Sequence, residues 1–75
     1  MTEEERKKYY DVIVRNWTAF NQFLKNGDFS EKVLEEYATV IDEIYTGNEK
    51  KTVFAKEIGF AVLNEIERLC KEKEQ

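Results

Sequence analysis

Apolar side chains recur along the chain at helical spacing, and the pattern is broken twice, at Gly27 and at Gly47. With no proline present, these glycines are the main punctuation, and they divide the sequence into three helical segments. At 100° per residue, Tyr9, Tyr10, Ile13, Trp17, Phe20, Phe23 and Leu24 fall on one broad face of the first segment. Asp11, Arg15, Thr18, Gln22 and Lys25 lie opposite. The pair Thr2 and Glu5 opens this helix with a capping box, and Gly27 supplies the left-handed residue that ends it.

The second segment follows Asn26-Gly27-Asp28-Phe29-Ser30. Ser30 is a good N-cap, and Phe29 just before it is placed to staple onto Leu34. Val33, Leu34, Tyr37, Ala38, Ile41, Ile44 and Tyr45 form its inner stripe, and Thr46-Gly47-Asn48 closes it. The third segment begins between Glu49 and Val53, with Asn48 and Thr52 as candidate caps. Ala55, Ile58, Gly59, Val62, Leu63, Ile66, Leu69 and Cys70 make its inner face. The pattern predicts an all-α single domain over residues 1–75. It is an antiparallel three-helix bundle with helices near 3–26, 31–46 and 50–72, the middle one short. Ala55 and Gly59, one turn apart, form a small-residue notch expected to receive Trp17 or Phe20, so Gly59→Leu should be poorly tolerated.

Composition narrows the function classes. A chain of 75 residues has one small core, which covers only about 60% of the surface its unfolded form exposes. A lone Cys70 and the absence of histidine fit a reducing, cytoplasmic setting and remove most zinc and general acid/base designs. Cys70 lies on the inner stripe and reads as a small buried hydrophobe, with no base to make it a nucleophile. No apolar run is long enough to cross a bilayer, and the amino terminus has no apolar leader segment. The expectation is a protein that is not an enzyme, with no cofactor and no bound metal.

The formal charge of −4 is unevenly placed. From Asp28 to Glu49 there are seven acids and one base, a local charge of −6, while the remainder sums to +2. The middle helix carries the excess through Glu31, Glu35, Glu36, Asp42 and Glu43, which read as a solvated face offered to a partner and not as a metal site. Val53 and Phe60, seven residues apart, point away from the third helix's apolar stripe and form a candidate anchor.

Phe54 to Phe60 resembles the part of a helix-turn-helix in which a small residue precedes the turn glycine by four places. Six and nine places after the glycine, where that motif needs core contacts, this chain has Glu65 and Arg68. The following segment offers one cation against two carboxylates, so a continuous helix without direct nucleic-acid contact is expected. Three functions are compatible with these residues. The first is a protein-binding module, adaptor or inhibitor, presenting the acidic face together with Val53 and Phe60. The second is a nucleic-acid mimic of phage or mobile-element type that occupies the basic groove of a nucleic-acid-binding enzyme. The third is a self-associating structural or regulatory protein, for which a homodimer is one form.

Overall fold

The computed structural model describes residues 1–47 and 52–73, which form three α-helices. They are α1 (Glu3–Asn26), α2 (Glu31–Thr46) and α3 (Val53–Lys73), and each packs against the other two. The bundle is elongated, 47 × 19 × 15 Å along its principal axes.

Side-chain chemistry sets the helix ends. Thr2 accepts a hydrogen bond from the Glu5 amide at 3.2 Å, and its hydroxyl donates to the Glu5 carboxylate at 3.3 Å. Gly27 sits at φ 67°, the left-handed conformation that costs glycine nothing and other residues about 1–2 kcal/mol. Ser30 caps α2 by accepting from the Val33 amide, while its own amide donates to the Asp28 carboxylate at 3.0 Å. Thr52 caps α3 through the Ala55 amide at 3.1 Å. The alternative cap Asn48 lies outside the described residues, as does Glu49.

Helix α3 runs through Gly59 without a turn, so Phe54 to Phe60 is continuous helix. Its buried residues Ala55, Gly59, Ile66 and Cys70 lie on the stripe read from the sequence. In α2, Ile41 is buried and the rest of the expected stripe is half-buried.

Helix α1 departs from expectation. Its buried residues are Val12, Asn16, Ala19 and Phe23, whereas Tyr10, Ile13, Trp17 and Leu24 are exposed; Trp17 keeps 56% of its surface. The helix is turned so that its smaller side chains face inward, and only Phe23 among its rings is fully buried. The reason lies at the notch. The atom nearest to a Cβ placed on Gly59 is Ile41 Cγ2 at 3.2 Å, with Asn16 Oδ1 at 4.0 Å, so α2 fills the notch and no α1 ring enters it. With α2 and α3 in contact there, Val12, Asn16 and Ala19 are the α1 side chains small enough to close the third side. Gly59→Ala is therefore expected to leave the melting temperature unchanged or lower. The gain of about 1 kcal/mol in helix propensity is offset by pressing a methyl onto the buried Ile41, and a clear rise would show that Ile41 gives way.

The two halves of the core differ. Phe23, Ile66 and Cys70 form a cluster with Phe20, Phe29, Val33, Leu34, Tyr37, Val62 and Leu69 packed around it. Phe23 meets Phe29 and Tyr37 edge-on at 5.2 and 5.5 Å between ring centres. The Asn26 amide donates to the Tyr37 hydroxyl at 3.1 Å, tying the end of α1 to α2. The other half contains Val12, Asn16, Ala19, Ile41, Ala55 and Gly59.

Candidate functional site

Where two helices diverge above a floor of small residues, a groove remains between them. Such a groove of about 240 Å³ runs between α2 and α3. Ala38, Ile41, Gly59 and Leu63 line it, with the rings of Tyr45 and Phe60 beside them. Asp42 and Lys56 supply its charges. Phe60 is half exposed, and the Lys56 ammonium lies 5.8 Å from its ring centre, one helical turn earlier on the same face. The groove is thus mainly apolar, with one anion from α2 and one cation from α3.

The residues singled out in the sequence are distributed unevenly around it. Asp42 and Phe60 line the groove together. Glu31 and Glu35 share the flank of α2 on which Asp42 lies, by helical spacing. Glu36 is on the opposite flank, where it lines a furrow between α1 and α2 with Asp28, Gln22 and Val40. Glu43 falls on the same flank as Glu36, seven residues on. Val53 is the first residue of α3 and is 71% exposed, but it does not line the groove. The acidic surface of α2 therefore has two flanks, and only one borders Phe60.

Charge pairing separates α2 from its neighbours. Asp11 pairs with Arg15 at 3.0 Å on α1, and Glu67 pairs with Lys71 at 3.2 Å on α3. Arg68 bridges Glu65 and Glu72, and its hydrogen bond to Glu65 holds that carboxyl below the usual range. Among the described residues, none of Glu31, Glu35, Glu36, Asp42 and Glu43 is in an ion pair. All five are exposed, so their field reaches solvent. No group of three acidic or cysteine side chains among the described residues is close enough to hold a metal ion. No described helix is long and apolar enough to cross a membrane.

The sequence reading missed the α2 side of the groove. Ala38, Ile41 and Tyr45 carry the same helical signal as any core residue, and only the pairing of α2 with α3 shows that they border an opening. It also missed the exposed stripe of α1, for which the signal was available: between Tyr9 and Leu24 the only charged residues are Asp11 and Arg15. Comparison with protein-family models, with curated proteins and with solved structures gives no match.

Proposed function

We propose that this chain is a small non-catalytic protein-binding module, an adaptor or inhibitor acting in the cytoplasm. Its binding surface is the α2–α3 groove and the acidic flank beside it. The helices form an antiparallel bundle in which the acidic middle helix and α3 together receive one amphipathic, cationic helix of a protein partner. The observation that carries this reading is the placement on one apolar groove of the half-exposed Phe60 and of Asp42, which is in no ion pair among the described residues. An apolar anchor beside a flank of carboxylates suits a ligand with one greasy and one basic face. The flank of Glu31 and Glu35 extends the field along α2, which accelerates encounter with cations more than it tightens the final complex.

Titration with a synthetic amphipathic Lys/Leu helix, followed by amide chemical shifts, tests the reading. Shifts should concentrate at Ala38, Asp42, Tyr45, Phe60 and Leu63. Phe60→Ala should weaken binding about tenfold, a loss of about 1.4 kcal/mol, without lowering the melting temperature by more than a few degrees. Shifts spread over α1, or a Phe60→Ala variant that binds unchanged, would remove the groove from consideration. Salt dependence separates the nucleic-acid mimic. A mimic acting through both carboxylate flanks should lose affinity steeply as salt rises, whereas an interface centred on Phe60 should change little.

A further inference from the structure

An exposed face of α1 is an apolar feature that neither the core nor the groove uses. Tyr10, Ile13, Trp17 and Leu24 follow the alternating three- and four-residue spacing of a helix-pairing seam, with the half-buried Phe20 completing it and Val14 beside it. Tyr10 is 68% exposed. From Tyr10 to Leu24 the seam is about 21 Å long at 1.5 Å per residue. The two charges within this stretch, Asp11 and Arg15, lie off the seam and neutralise each other.

We infer that this face is a homodimer interface, in which α1 of one copy packs antiparallel against α1 of a second. Three observations select a second copy over other occupants. The four exposed seam residues and the adjacent Val14 present about 500 Å² per chain, so two copies bury about 1,000 Å², where specific interfaces begin. The seam is uncharged and thus meets its own image without repulsion, whereas a cationic or anionic partner would find nothing there to pair with. Its spacing is also self-complementary. An antiparallel register that sets Ile13 against Leu24 of the second copy also sets Trp17 against Phe20, and carries Arg6 and Lys7 past the end of the facing helix towards its acidic turn at Asp28. Because the contact is the same patch on both chains, assembly closes at two.

Sedimentation and light scattering over a dilution series test this. The expected mass is twice 9.0 kDa at high concentration, falling to the monomer as the protein is diluted, with a Kd of about 1–100 μM. Emission from Trp17, the only tryptophan, should shift to the red over the same range. Trp17→Glu should weaken pairing about 100-fold or more, with unchanged helical circular dichroism, and Ile13→Glu provides a second variant should the first fold poorly. Phe60→Ala should pair as the parent does, which keeps this interface distinct from the groove. A monomer at about 500 μM would overturn the inference, because the contact would then be too weak to be specific. So would a Trp17→Glu/Ile13→Glu chain that still dimerises, assembly beyond two chains, dimerisation lost in Phe60→Ala, or α1 binding only to lipid vesicles.

Discussion

Phe23→Ala should leave the chain largely unfolded at room temperature. Phe23 has no exposed surface and stands at the meeting point of all three helices, edge-on to Phe29 and Tyr37 and clustered with Ile66 and Cys70. Truncating a buried phenylalanine to alanine costs about 3–5 kcal/mol, combining lost transfer free energy with the cavity left behind. In a chain this short a single core rarely supplies more than about 3–5 kcal/mol, so the substitution removes most or all of the stability. Its neighbours cannot collapse into the space, because Phe29 is held by the Ser30 cap and Tyr37 by its hydrogen bond from Asn26. Circular dichroism with a urea titration should show a midpoint near zero denaturant. A midpoint within about 0.5 M of the parent would mean that the cluster does not hold the bundle together.

Asn16→Leu should have a large effect of the opposite sign, raising the melting temperature by about 10 °C. Asn16 is only 2% exposed; its amide nitrogen donates to the Val12 carbonyl at 2.8 Å, but its side-chain oxygen has no partner. An unsatisfied buried carbonyl costs about 1–3 kcal/mol. Leucine has nearly the same branched shape, removes that cost, and is a better helix former by a few tenths of a kcal/mol. A net gain of about 2 kcal/mol corresponds to about 8–16 °C for a domain of this size. The Val12 carbonyl keeps its ordinary helical bond, so nothing new is left unpaired. A thermal melt showing no rise would indicate that the Asn16 oxygen is satisfied in solution by a buried water.

The elements were readable because their ends and two of their three faces obey local rules. Thr2, Ser30 and Thr52 cap through their own side chains, and Gly27 adopts the conformation its chemistry favours. On α3 the apolar residues other than Val53, Phe54, Phe60 and Ala61 occupy one stripe, which is the buried one. On α1 they span most of the circumference, and Val12 and Ala19 compete with Tyr10, Ile13, Trp17 and Leu24 for the inside, while Phe23 is buried as its place on the expected face implies. Weighing residues by size favours the larger set. The choice is made by the close contact of Ile41 with Gly59, a pairing between residues far apart in sequence. The α2–α3 groove was hidden for the same reason. Phe60 could be assigned outward from α3 alone, but its relation to Asp42 and Tyr45 exists only once two helices are set side by side.

The uneven core has a consequence for how the bundle breathes. Its ring-filled half, around Phe23, Ile66 and Cys70, is the costlier to open, because three buried side chains and the rings around them would lose their contacts together. The half built on Val12, Ala19, Ala55 and Gly59 has less apolar surface to lose and opens at lower cost. The groove beside Phe60 lies over that second half, bordered by Ile41, Tyr45 and Gly59. Helices α2 and α3 can thus spread there to admit a side chain while the far end keeps them joined, like the jaws of a spring clip.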